Sequence, residues 1–292
     1  MSEEVGELPT IETALPDGAI ADAEVVAVPP GLLQKRGRIA RVLIDLTYPL
    51  VWIVGAFVLW ELYVRIAEVP TYLLPTPSSA VVEMWDRREF LLEQTYTTAL
   101  ECIVGYVLAV IMGVPLAIVI ASSKFMEKSL YPLLVASQVL PKVALAPLFL
   151  IVFGFGIASK IVIVLLISFF PIVLNGVIGL QSVERDTIFL AQSMGAGPLK
   201  TFWKFRLPHS LPAMFGGFKL AAIFAVVGAV VGEFIGADKG LGRTLLLANG
   251  QLNTRLLFAT IGYLTIFGVL FYLVIEIAER ISLPWHVSKR TT

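Results

Sequence analysis

The 292-residue chain is 57% hydrophobic and 15% charged, with a mean hydropathy of +0.85; a soluble domain carries roughly 25% charged residues. Its 22 basic and 22 acidic side chains cancel, so net charge names no partner and gives no reason to expect nucleic acid. The apolar residues gather in runs at about 46–67, 97–121, 130–152, 159–180, 212–236 and 255–279; each is near the roughly 20 residues that a transmembrane helix needs, a pattern that excludes a large soluble enzyme core.

The chain opens on an acidic stretch (Glu3, Glu4, Glu7, Glu12, Asp17, Asp22, Glu24) without Lys, Arg or aromatic residues before Lys35. Such a composition cannot bury enough apolar surface to order itself. It is also no signal peptide, which would begin basic and then turn apolar. Residues 1–42 are therefore read as a disordered acidic tail with a basic membrane-proximal end (Lys35, Arg36, Arg38, Arg41), 43–286 as the transmembrane domain and 287–292 as a short tail.

In the first run, Glu61 and Arg65 stand four apart and are expected to pair on a helix surface. The segment at 68–96 carries Pro70, Pro75 and Pro77, then an amphipathic, acid-rich stretch through VVEMWDRREFLLEQ. The spacing predicts a helix at the membrane interface, capped by Ser78 or Ser79 and anchored by Trp85 and Phe90. Cys102, the single cysteine, is expected to be a small apolar packing residue, and Glu101 beside it to be wet. In the third run Pro141 frees a backbone carbonyl one turn earlier, so the helix should kink or break near Gln138. Lys142 then either lines a path suited to an anion, pairs with a carboxylate or snorkels. Asn175, beyond Phe170-Pro171 in the fourth run, needs an amide partner; an interhelical hydrogen bond and a substrate contact both serve. Lys219 lies near the start of the fifth run and is expected to snorkel. Gly228, Gly232 and Gly236 form a small-residue stripe for close helix packing, which places Glu233 at a packed interface or at the mouth of the path. His209 and His286 have no metal-ligand neighbour at helical spacing and read as structural.

Lys and Arg gather in cytoplasmic loops. With the N-terminus inside, the larger share of them, including Lys35 to Arg41, Lys124, Lys128, Arg185, Lys200, Lys204, Arg206 and Arg280, falls on the inner side. Both termini are thus expected in the cytoplasm, and so is the segment between the fourth and fifth runs. There Asp186 to Lys204 reads as a short helix, a turn at Gly195-Ala196-Gly197-Pro198 and a second short helix. Its bulky residues, Phe189, Leu190, Met194, Leu199, Phe202, Trp203 and Phe205, are too many for a solvated loop. They call for a covering surface, from this chain or a partner. Gly195 is glycine either for a positive φ or for close approach of another backbone.

This segment resembles the cytoplasmic motif of the permease subunits of binding-protein-dependent ABC importers: Glu-Ala-Ala, three residues, Gly, nine residues, a hydrophobic residue, any residue, Leu-Pro. Here those places are Phe189, Leu190, Ala191, Gly195, Phe205, Leu207 and Pro208, with Met194 and Ala196 flanking the glycine. Phe189 and Leu190 depart from the motif, and with Phe189 the acid is lost. Pro75-Thr76-Pro77-Ser78, Leu140-Pro141-Lys142, Phe153-Gly154-Phe155-Gly156, Phe170-Pro171 and Gly232-Glu233-Phe234 look like the branch importing nitrate, taurine, alkanesulfonates, bicarbonate and vitamin precursors. The resemblance covers about 45–286 and implies an all-α membrane fold of six transmembrane helices, type I importer-like, with a coupling loop between spans four and five.

It further implies a multi-pass protein of the bacterial inner membrane that works as a homodimer or close heterodimer. Cytoplasmic ABC ATPase subunits would bind ATP and Mg, leaving no cofactor on this chain, and a periplasmic or lipid-anchored binding protein would deliver the solute. The chain has no phosphate-cradling G-x-x-x-x-G-K-[ST] loop, since GADKGLGRT at 236–244 has the wrong spacing. By this reading the coupling loop is Phe189, Leu190, Ala191, Met194, Gly195, Ala196, Phe205, Leu207 and Pro208, and the path candidates are Gln138, Lys142, Asn175 and Glu233, for a small anionic solute. An ion-coupled secondary transporter is the alternative. An intramembrane enzyme finds no H-E-x-x-H or G-x-S-x-G to build on.

Overall fold

A computed structural model of the chain describes residue 48 and residues 50–284. The expected tail at 1–42, His286 and the tail at 287–292 lie outside the described residues. The chain divides into a unit up to Ala56, of which residues 48 and 50–56 are helical, and a unit from Phe57 onward. Among its described residues the second unit is helix and turn, with no strand. By length and composition, four of its helices suffice to cross a membrane: Arg88–Ser122, Ile157–Gln181, Pro198–Gly236 and Thr254–Ser282. A bent pair, Lys124–Ser137 with Lys142–Phe153, is a fifth candidate if counted as one span. The sixth expected span, at 46–67, lies partly outside the described residues.

The second unit opens with α1 (57–66), in which the Arg65 guanidinium meets the Glu61 carboxylate at 2.6 Å as expected. Glu61 also accepts from the Ser78 amide (3.0 Å) and hydroxyl (2.8 Å), tying α1 to the start of α2 (Pro77–Asp86). Thr76, rather than either serine, caps α2, its hydroxyl accepting from Ser79 N at 3.3 Å. The expected interfacial helix is shorter than the sequence pattern. It ends at Arg87, and 88–94 form the first turns of α3 (Arg88–Ser122). Leu91, Gln94, Thr98, Glu101 and Cys102 recur at three- and four-residue spacing along one buried stripe, which carries the helix down from this end. Trp85 and Phe90 are both exposed, on different helices.

After α4 (Lys124–Ser137) the chain breaks where Pro141 requires it. A 3-10 turn at Lys142–Leu145 leads into α5 (Ala146–Phe153), bent by 80° from α4. The core is a close sandwich of α3, α6 (Ile157–Gln181) and α9 (Leu207–Gly236), with α11 (Thr254–Ser282) against it. Cys102, Tyr106, Val164, Ile172, Ala221, Ala225 and Phe271 are buried there together, so Cys102 is the apolar packing residue expected. Small residues set the spacing: a Cβ on Gly105 would sit 2.6 Å from Val164 Cβ, and one on Gly217 would sit 2.6 Å from Asn175 Cβ. The stripe of Gly228, Gly232 and Gly236 packs as expected, on Val164, Lys160, and Phe155 with Leu150.

Between α6 and α9 lie α7 (Arg185–Ser193) and α8 (Pro198–Thr201), followed by a π turn at Phe202–Arg206. The expected second short helix is therefore the leading end of a 39-residue helix. Pro208 explains the π turn. Having no N–H, it leaves the Lys204 carbonyl without its helical donor, and the ladder shifts so that Leu207 N bonds Phe202 O. Beyond α9, the short α10 (Leu241–Gly250), absent from the sequence pattern, packs Leu241 and Ala248 against Leu91, Leu256 and Ala259.

Candidate functional site

The 185–208 loop is built around a glycine-terminated helix. At the end of α7, Gly195 N bonds Gln192 O (2.9 Å) and Ala196 N bonds Ala191 O (3.0 Å). This is the paired closure of a Schellman motif, which needs a left-handed residue at its hinge. Gly195 supplies it with φ +80, and no described residue lies within 4 Å of where its Cβ would be. Of the two reasons open for this glycine, the positive φ is the one that acts within the chain. Ala191 is buried beneath the turn, and Thr201 is fixed by a 3.1 Å bond to the Gly197 carbonyl.

The bulky residues point away from the chain. Phe189 is 72% exposed and Met194 80%, and Leu190, Leu199 and Trp203 are exposed beside them. Phe205 is less so and lines a crevice of about 410 Å³ with Glu184, Thr187, Lys204, Pro208 and the exposed His209. The covering surface that the sequence calls for is thus not supplied by this chain's described residues. Phe189, in place of an acid, extends an apolar patch rather than offering a charge.

The four path candidates do not converge. Gln138 is exposed at the corner between α4 and α5. Lys142, at the start of the 3-10 turn, holds its ammonium 4.1 Å from the centre of the Phe170 ring on α6, a favourable seat for a cation. Among the described residues Asn175 makes no interhelical bond through its amide. Its Nδ2 donates to the Pro171 carbonyl one turn back at 2.8 Å, while its Cβ meets Gly217 of α9.

Glu233 is fully buried at the end of the bundle opposite the loop. It accepts from Thr98 Oγ1 at 2.6 Å and from the backbone N–H groups of Gly242 and Arg243 at the start of α10. Gly240 is held at φ +119, and a Cβ there would fall 2.3 Å from the Glu233 carboxyl. The buried Glu101 lies alongside, with the buried Lys160 at 3.8 Å. Glu101 is therefore not wet. A lysine at a helix start and a glutamate more than three turns into another helix carry no local pattern that announces a pair, so sequence reasoning missed it.

Lys219 does not snorkel. It lies between Glu276 and Glu279 of α11, and Arg280 also pairs with Glu276 at 3.1 Å. Glu276 and Glu279 stand three apart on one face of α11, a signal that the charge spacing did offer.

Residues 105–284 match the family described as Binding-protein-dependent transport system inner membrane component. The chain is 36% identical over 238 residues, 81% of its own length and 95% of the other's, to the formylaminopyrimidine transport permease protein ThiX of Halalkalibacterium halodurans. It is 32% identical over 178 residues, 61% of its length and 65% of the other's, to the taurine transport system permease protein TauC of Escherichia coli. Among solved structures, an inward-facing form of the MetNI methionine ABC transporter shares the fold, with a TM-score of 0.60 at 18% identity, over 68% of this chain and 98% of that one.

Proposed function

The chain belongs to the family of binding-protein-dependent transport system inner membrane components, and on that premise we propose that its 185–208 loop seats a separate ATPase while Lys142 contacts an anionic solute. It is a membrane-spanning permease subunit of an ABC importer, with a nearly all-helical, type I importer-like fold. It is a non-catalytic subunit, ATP being hydrolysed on the partner ATPase. Membership of this family leaves no place for the ion-coupled alternative.

The observation that carries the docking assignment is the exposed apolar face of Phe189, Leu190, Met194, Leu199 and Trp203 around the Gly195 turn. Each such side chain gains about 1.5–3 kcal/mol on full burial, so a contiguous set favours a protein seat over water. In this reading the loop lies in the cytoplasm with both termini, two permease copies enclose the path, and a binding protein delivers solute at the opposite face. Ala191, Ala196, Leu207 and Pro208 shape the loop rather than touch the partner. ThiX and TauC carry, by name, a formylaminopyrimidine and taurine. A small solute of the sulfonate or taurine kind is favoured by the partly buried Lys142 ammonium beside Phe170, next to Gln138 at the broken helix.

Copurification tests the docking reading. A Leu190→Ser, Met194→Ser, Leu199→Ser variant should insert and fold normally yet lose the ATPase. Retention of the ATPase at wild-type stoichiometry overturns it. Lys142→Met should keep the ATPase bound and lower uptake of an anionic solute; unchanged uptake removes Lys142 from the path.

A further inference from the structure

α6 and α9 are locked together along their full length. Gly179 faces Ser210, Gly217 faces Asn175, Gly228 faces Val164 and Gly232 faces Lys160, and at each rung an added Cβ would lie within 3.2 Å of the opposite helix. These antiparallel rungs keep one register from the loop end to the far end. Packed interfaces of this kind move as bodies rather than deform continuously. The pair is thus a rod, locked over about 33 Å from Ser210 to Gly232 at 1.5 Å per residue, and the 39-residue Pro198–Gly236 helix carries it on to the loop. Its near end is the Gly195 loop, and its far end is Glu233.

The first amides of α10 find no acceptor within their own helix, as at any helix N-terminus, and each takes one from another element. Gly240 N donates to Gln94 Oε1 at 2.7 Å, Leu241 N to Thr98 Oγ1 at 2.8 Å, and Gly242 N to Glu233. Thr98 in turn donates to Glu233 at 2.6 Å. Glu233 is thus a carboxyl cap for α10 contributed by α9, and the carboxyl fills the space that a side chain at Gly240 would need. On its other side α10 packs through Leu241 and Ala248 on Leu256 and Ala259 of α11, an apolar contact that does not involve α9.

We propose that Glu233 is a positioning residue for transport: it joins α10 to the α6–α9 rod, so that a push on the 185–208 loop is delivered at the opposite face as a displacement of α10. This rests on the loop being the ATPase seat. Without the Glu233 joint, α10 keeps only the short 237–240 link, the Gly242 contact with the Val230 carbonyl and the Gln94 and Thr98 bonds from α3, so it is loosened from the rod and follows it imprecisely. The exposed Leu246, Leu247 and Leu252 then no longer keep step with the loop. Neither Glu101 nor Lys160 replaces the joint, because both sit on the α3–α6 side and neither bonds α10.

The test uses spin labels at Gln181→Cys and Gln251→Cys, both exposed, in a Cys102→Ala background of the full chain, with one doubly labelled copy per complex for the 181–251 distance and both copies labelled at 251 alone for the 251–251 distance. Without ATPase, the 181–251 distance should be single and narrow in the parent and broad or shifted in Glu233→Gln. In the complete complex with ATP trapped, that distance should hold in the parent while the 251–251 distance between copies changes. For Glu233→Gln, uptake per ATP hydrolysed should fall about 10- to 100-fold, the scale of a remote misplacement, and Glu233→Asp should recover part of it. The proposal is overturned by a Glu233→Gln distribution as narrow as the parent's, or by a parent 181–251 shift near one helical turn, about 5 Å, on ATP trapping. Failure of the ATPase to copurify would instead sink the docking assignment, and the ATPase-free distances would still judge the joint.

Discussion

Gly195 has φ +80 and open space around it within the chain, so conformation and contact can be separated by chemistry. Asn and Asp are isosteres that both enter the left-handed region more readily than other side chains. Gly195→Asn is expected to keep more than half of wild-type uptake, whereas Gly195→Asp should insert but transport poorly, because it sets a charge into an apolar docking face. Equal uptake by the two variants, measured in membranes of matched expression, would show that charge at the seat is irrelevant. The buried Glu101–Lys160 pair at 3.8 Å is the second case at this scale. Removing one partner of a buried pair costs about 3–5 kcal/mol, while replacing both with apolar groups is often close to neutral. Lys160→Met should therefore lower the thermal midpoint in detergent, and adding Glu101→Leu, which also takes a hydrogen-bond partner from Glu233, should restore part of it. A double variant no more stable than the single one contradicts the pairing.

At the scale of elements, the rungs between α6 and α9 decide how the loop is mounted. Gly217 leaves no space beside Asn175 and the Pro171 carbonyl, so Gly217→Val overpacks the interface and should cost about 1–3 kcal/mol. An unchanged melting temperature would mean that the two helices can separate there. The π turn before Pro208 offers a different perturbation. Pro208→Ala restores a backbone donor for Lys204 and should convert Phe202–Arg206 to regular helix, turning the loop about one residue, roughly 100°, relative to α9. The expected outcome is a folded protein with weakened ATPase binding; full binding would show that the loop's bearing on α9 does not depend on the π turn.

Much of this element layout is readable in the chain. The runs at 97–121, 159–180, 212–236 and 255–279 each fall within a long helix, Pro141 marks the break, and the loop's helix–turn–helix with its glycine is found where spacing places it. What local pattern could not supply is partnership across distance. Lys160 with Glu101, Lys219 with Glu276 and Glu279, and Glu233 with the start of α10 join residues far apart in sequence. Such pairs are fixed by tertiary packing, and each looked solvated, snorkelled or undecided from its own segment. The interfacial helix was overextended for a related reason. Its acidic residues face outward on α3 while Leu91 and Gln94 are already buried, and only the neighbouring helices reveal which face is covered.

For the whole molecule, the exposed apolar loop face, the packed α6–α9 pair and the buried Glu233 belong to a non-catalytic permease subunit, and we propose that force reaches it through the loop. Energy must enter through a partner. The direct measurement is solute accumulation in liposomes holding this chain, its ATPase and its binding protein. Accumulation that needs ATP inside the ATPase compartment, proceeds with ion gradients collapsed and vanishes in the Leu190→Ser, Met194→Ser, Leu199→Ser variant is the expected result. Accumulation by the chain alone under an ion gradient, with no ATPase present, would contradict it.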